Sequence, residues 1–125
     1  MTDPESSVRI TAMVAVGVSL GALVRWAISA VDIALWATLV ANVAGCLIAG
    51  VAGRCQPAYR AFWVTGVAGG MSTLSAVGVD VRTEWSAGRP SAAVVYVTIT
   101  LVAGVIAVVI GRSDAVTRSV EWCRS

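Results

Sequence analysis

The side chains that could do chemistry in this chain are few, and most gather in one stretch. From Thr65 to Ser75 the sequence reads TGVAGGMSTLS, with Gly78 three residues further on. It holds Gly66, Gly69 and Gly70 together with four hydroxyls, Thr65, Ser72, Thr73 and Ser75. Glycine costs about 1 kcal/mol against alanine in a helix interior. The adjacent Gly69 and Gly70, followed by hydroxyls, therefore mark a site of helix interruption, whose freed backbone groups must be satisfied again at membrane depth. Unwound carbonyls near a bilayer midplane suit a small cation, and the hydroxyls can serve an ion or the broken backbone. A glycine-rich packing seam would look similar, so both readings stay open on the residues alone. Asn42 is the second candidate. It lies in mid-run, out of reach of the headgroups, where an unsatisfied amide costs roughly 4–8 kcal/mol on an alkane-transfer scale. It must bond a neighbouring helix, water or a passing solute. Arg25 sits about one turn before the end of the first apolar run. There it either snorkels to the interface or places a fixed positive charge in a vestibule that gathers anions.

The elements that position these residues follow from composition. The chain has 125 residues, 58% of them hydrophobic and only 13% charged, with a mean hydropathy of +0.84. A soluble domain carries about twice that charge, so the class is an all-α integral membrane protein. Each span needs ~20 mostly apolar residues, and four stretches qualify: 11–31, 33–53, 61–81 and 91–111. Polar termini at 1–10 and 112–125 and short connections complete a single four-helix transmembrane domain over 1–125. The N-terminus lacks the basic region and cleavage site of a signal peptide. Orientation follows arginine. Arg9, Arg54, Arg60, Arg112, Arg118 and Arg124 lie on the side of the N-terminus, against Arg82 and Arg89, joined by Arg25 if it snorkels to that surface, which places both termini in the cytoplasm. Trp26, Trp36, Tyr59, Trp63 and Trp85 fall near span ends and read as interfacial anchors. Small residues recur at close-packing intervals, Gly17 with Gly21, Ala41 with Gly45, and Gly66 with Gly70. Most of these explain packing within one subunit. Four short helices still make a thin bundle, so a dimer is expected.

Several function classes are excluded. The chain has no histidine, hence no usual general base, and no soluble domain, which argues against an enzyme. A net charge of +2 with scattered arginines does not suggest nucleic acid. No acidic residue occupies the middle of a span, which argues against a carrier built on a buried carboxylate. Cys46, Cys55 and Cys123 lack metal-ligand spacing and read as three unpaired structural thiols.

Three segments, GVSLGALVRW (Gly17 to Trp26), LVANVAGCLIAG (Leu39 to Gly50) and TGVAGGMSTLS (Thr65 to Ser75), occur in the order and spacing of the Fluc/CrcB fluoride channels. The chain resembles that family from about Val14 to Gly111. The resemblance implies four transmembrane helices with a broken third helix, in an antiparallel dimer of the dual-topology type. It implies a fluoride-selective channel in the cell membrane that lets toxic cytoplasmic fluoride leave by passive flow, along pores at the subunit interface. It also implies a structural sodium ion at the dimer centre, held at Gly69 and Ser72 with Thr73 adjacent. Asn42 and Arg25 match the asparagine and arginine along the fluoride path, and Ser75 and Thr100 join that pathway.

The departures from the family pattern carry their own implication. Where the pattern places two pore-lining phenylalanines, this chain has Leu74 and Val77, and neither can present the positive edge of an aromatic ring. Its fourth span keeps only Thr98 and Thr100 of a ladder of polar groups. These losses match a variant of the family in which two genes supply oppositely oriented subunits of a heterodimer. The arginine bias agrees, since a homodimer that inserts both ways should show little asymmetry. The expected partners are therefore fluoride, the lipid bilayer, and a second copy or, better, an oppositely oriented homologous subunit. The alternatives are a non-conducting partner subunit and, far lower, a small four-helix drug or cation exporter, which would rely on a carboxylate in the first span.

Overall fold

The computed structural model describes residues 4–30 and 34–113. All regular structure among them is helical. It comprises α1 (Pro4–Ser29), α2 (Ala34–Ala52), α3 (Pro57–Arg60), a π-helical segment π1 (Ala61–Ala68), α4 (Gly69–Met71), α5 (Leu74–Ser86) and α6 (Pro90–Gly111). Four stretches are long and apolar enough to cross a bilayer: Pro4–Ser29, Leu35–Ala52, Pro57–Ser86 and Pro90–Gly111. The first and third begin earlier than the apolar runs at 11 and 61, and the third continues past 81. Hydropathy registers where a helix meets lipid, whereas the helix ends where its backbone is capped. Pro4 and Pro57 suit a first turn that needs no N–H donor, and Glu5 lies in the first turn of α1, where the helix dipole favours an anion. The ends expected at 31 and 33, and the terminus beyond Ser113, lie outside the described residues.

The stop between α5 and α6 is built from local bonds. Gly88 takes a left-handed φ of 74°. Its N–H reaches the Trp85 carbonyl and the Arg89 N–H reaches that of Glu84, each at 3.0 Å. This is a Schellman closure, which satisfies carbonyls that the helix end leaves without donors. Arg89 then grips the Glu84 carboxylate with two bonds, Nε–Oε2 at 2.7 Å and Nη2–Oε1 at 2.9 Å. The bond to Glu84 raises the Arg89 guanidinium above its ordinary pKa. Pro90 starts α6 directly.

Backbone contacts give the direction of each span. A Cβ on Gly17 would lie 2.6 Å from the Phe62 carbonyl and 2.8 Å from Gly66 Cα, and one on Gly70 would strike the Val18 carbonyl. Therefore α1 and π1–α4 run the same way with backbones in contact. Likewise Gly50 lies against Val108 and Gly111, and Gly104 against Cys46, so α2 and α6 run together. Gly45 meets Ala68 and Ser72, while Ala52 and Cys55 pack with Trp63 and Val64, so α2 opposes the third span. The spans thus alternate in direction. Arg9, Arg54, Arg60 and Arg112 share one end, and Arg82 and Arg89 the other; Arg118 and Arg124 lie outside the described residues.

The buried residues are mostly small, among them Ala37, Ala41, Ala68, Ala93 and Ala107, while Val94, Ile99, Val105, Ile106 and Val109 of α6 are exposed. Water would invert that order. Where the solvent is lipid, association rests on close backbone packing instead. The reading of three unpaired thiols needs one correction: Cys46 is free, but Cys55 is disulfide-bonded. Sequence spacing does not show which cysteines the fold brings together.

Candidate functional site

Between α4 and α5 two residues have extended backbone: Ser72 at φ −82°, ψ 136° and Thr73 at φ −152°, ψ 129°. Gly69 is helical at φ −64°, ψ −34°. The glycines here therefore serve contact more than conformation, with Gly66 and Gly70 pressed against α1. Gly69 differs from them: it is exposed, and a Cβ added there would meet only the Val64 carbonyl, at 3.8 Å.

Asn42, only 7% exposed on α2, is bonded to the extended pair. Its Oδ1 accepts the Thr73 N–H at 2.7 Å, and its Nδ2 donates to the Thr73 carbonyl at 3.4 Å. The short bond sets the amide's orientation, because a backbone N–H requires the oxygen and not the nitrogen. One hydrogen of Nδ2 is left over. In an unbroken helix the Thr73 N–H would donate to the Gly69 carbonyl; here that donor is on Asn42. The Ser72 hydroxyl instead bonds back to the Ala68 carbonyl at 2.9 Å, and the Thr73 and Ser75 hydroxyls bond each other at 2.7 Å.

Beside this junction runs an open groove of about 480 Å³ between α2, α5 and α6. Its polar lining is Asn42, Ser72, Thr73 and Thr100; Leu74, Leu101, Val105 and Val109 are among its apolar walls. Thr100 is 7% exposed, and its hydroxyl donates to the Tyr96 carbonyl at 2.8 Å. Thr98 likewise donates to Val94, at 2.9 Å. Both threonine hydroxyl hydrogens of α6 are thus spent within their own helix.

The structure brings some of the singled-out residues together and separates others. Asn42, Ser72, Thr73, Leu74 and Thr100 share the groove. Ser75 reaches it only through its bond to Thr73. Leu74 and Val77 stand in unlike places: Leu74 is 78% exposed, Val77 only 7%. Arg25 lies outside the groove lining, one turn from the end of α1, with its Nε buried and without a hydrogen-bond partner. One pair is new: the Tyr96 hydroxyl donates to Asp80 Oδ2 at 2.8 Å. Asp80 lies six residues before Ser86 and Tyr96 six after Pro90, so an antiparallel hairpin folded at that turn brings them level. That symmetry was the available signal.

A carboxylate or thiol metal site is not what this junction offers; no group of three or more His, Cys, Asp or Glu side chains stands together among the described residues. Its donors are uncharged oxygens, and the Gly69 carbonyl has lost its helical N–H on an exposed face. Such a donor set fits a weakly held monovalent cation rather than a transition metal.

Fold and site together define a multi-pass membrane bundle of four apolar helices, with a largely apolar groove on its flank that carries a few polar groups. The family described as CrcB-like protein, Camphor Resistance (CrcB), matches residues 12–112, and the chain belongs to it. The chain is 36% identical over 91 residues to the fluoride-specific ion channel FluC of Variovorax paradoxus (strain S110), covering 64% of this chain and 73% of that one. It is 33% identical over 114 residues to FluC 2 of Nocardia farcinica (strain IFM 10152), covering 82% and 81%. With FluC 1 of Streptomyces coelicolor (strain ATCC BAA-471 / A3(2) / M145) the identity is 32% over 128 residues, covering 93% and 82%. The family is one of ion channels, not of enzymes.

Proposed function

We propose that this chain is a subunit of a fluoride-selective channel that releases cytoplasmic fluoride down its gradient, and that it works as one half of a heterodimer. The observation that carries the reading is the Asn42 amide. It is fixed by the Thr73 backbone on one side and keeps one N–H in a groove on the bundle's outer flank. A small, strongly hydrated anion crosses an apolar layer only where donors replace its water, and that N–H is such a donor. Ser75 and Thr100 flank the same route, and Arg25, which lies outside this groove's lining, would lend its positive charge to a vestibule formed with the second subunit. The groove is open on the side where a second subunit would close it.

The poverty of donors favours unequal subunits. Thr98 and Thr100 both give their hydrogens to their own helix, and Leu74 presents an aliphatic wall where the family pattern has an aromatic edge. A partner of opposite orientation would supply the missing donors. The uneven arginine ends support a single orientation for this chain, with both termini cytoplasmic. Gly69 and Ser72, with Thr73 adjacent, would hold a sodium ion at the dimer centre. When bound, it would supply positive charge that ties the extended segments of both subunits together.

Growth in fluoride tests this reading in the cell. Bacteria without their own fluoride exporters should stay sensitive when given this chain alone and become resistant when given the homologous second subunit with it. Sensitivity that the pair does not relieve, with both chains present in the membrane, counts against it.

A further inference from the structure

We infer that Asn42 is the positioning residue of the cation site: it aims the backbone carbonyls of Gly69 and Ser72 by holding the peptide between Ser72 and Thr73. The inference rests on the reading of that junction as a sodium site and adds which side chain builds it.

The warrant is peptide geometry. The N–H of Thr73 and the C=O of Ser72 belong to one planar trans unit and point in opposite directions. Oδ1 of Asn42 takes that N–H at 2.7 Å, so the Ser72 carbonyl is turned away from α2. The same bond removes the donor that the Gly69 carbonyl would have in a continuous helix. A second bond, from Nδ2 to the Thr73 carbonyl at 3.4 Å, resists rotation of the next peptide. Without Oδ1, the Thr73 N–H would be an unsatisfied donor beside a free Gly69 carbonyl. Joining the two would rebuild the helical bond and remove the carbonyl from any ion. Asn42 is itself buried and sits on a different span, 31 residues away, so the clamp is set by helix packing and not by local sequence. One side chain thus serves two ions with two atoms: Oδ1 shapes the cation site, and the spare N–H faces the groove.

The division predicts different consequences for two substitutions. Asn42→Asp keeps the acceptor for Thr73 and changes the donor; Asn42→Val removes both. Sodium is titrated into the purified assembled channel, with potassium as the control ion, and the midpoint is read from the rise in melting temperature by tryptophan fluorescence. Asn42→Asp keeps the acceptor and adds negative charge near the ion, so it should need no more sodium than the wild type, while Asn42→Val should need about tenfold more sodium, as expected for one lost hydrogen bond at a buried site. Fluoride efflux should fall in Asn42→Asp despite its intact sodium response. Equal midpoints in wild type and Asn42→Val overturn the inference and leave the sodium reading standing. No sodium-specific shift in the wild type overturns both. Should Asn42→Val fail to fold, amide exchange at Thr73 in the wild-type protein gives the answer without a variant. Slow exchange in sodium-free solution supports the clamp, and exchange as fast as an exposed amide overturns it.

Discussion

Leu74 and Val77 are three residues apart on α5, yet one faces outward and the other is packed inside the bundle. Phenylalanine should therefore be received differently at the two positions. Leu74→Phe adds a ring to open space, and the subunit's stability should change by less than about 0.5 kcal/mol, as for most exposed changes. Val77→Phe overfills a closed site and should cost about 1–3 kcal/mol. Thermal unfolding of the two variants measures both, and equal losses would contradict the placement of Leu74. If the aliphatic wall limits conduction, Leu74→Phe should also raise fluoride efflux in the assembled channel. At this scale the sequence singled out residues that meet at one groove more readily than the bonds they make there. Asn42 stood out because a buried amide needs a bond; that the bond would be Thr73's backbone depends on how α2 lies against the third span. Tyr96 with Asp80 went unmarked because each residue looks ordinary until the turn at Gly88 brings them level.

Glycine carries the element scale. The run from Gly66 to Gly78 invited the idea of a helix weakened by glycine, but the residues in extended conformation are Ser72 and Thr73, while Gly66 and Gly70 buy close approach to α1. Two populations of glycine follow. Gly21→Ala would push a methyl into the Val67 carbonyl and Gly70→Ala into that of Val18, so each should destabilise the subunit by about 1–3 kcal/mol through overpacking. Gly78→Ala meets nothing within 4 Å and should be neutral or stabilising by up to about 1 kcal/mol, because alanine suits a helix better. Melting curves of the three variants test the contrast, and a Gly78→Ala loss as large as that of Gly70→Ala would contradict it. The π-helical turns of Ala61–Ala68 had no signature in the sequence. Nothing in AFWVTGVA departs from an ordinary apolar helix, and the wider winding coincides with the stretch where Phe62 and Gly66 meet α1.

For the whole molecule, hydropathy was enough to find four spans, because length and apolarity are properties of each segment alone. Their alternation in direction follows from short connections, and backbone contacts agree with it. On the proposed reading, a second subunit would supply the other wall of the groove. The open flank beside Asn42 and Thr100, the exposed Leu74, and the threonine hydroxyls that bond back to their own helix are the features that such a partner would complete. That is also why sequence reasoning could single out residues along the groove but left the assembly to inference.

The measurement that bears most directly on this account is fluoride efflux from liposomes, followed with a fluoride electrode against a chloride control. The chain is reconstituted alone and then together with a candidate homologous partner from the same genome. We predict silence from the chain alone and rapid fluoride release, without chloride release, from the pair. Rapid efflux from the chain alone would contradict the heterodimer, and silence from a properly assembled pair would contradict the channel.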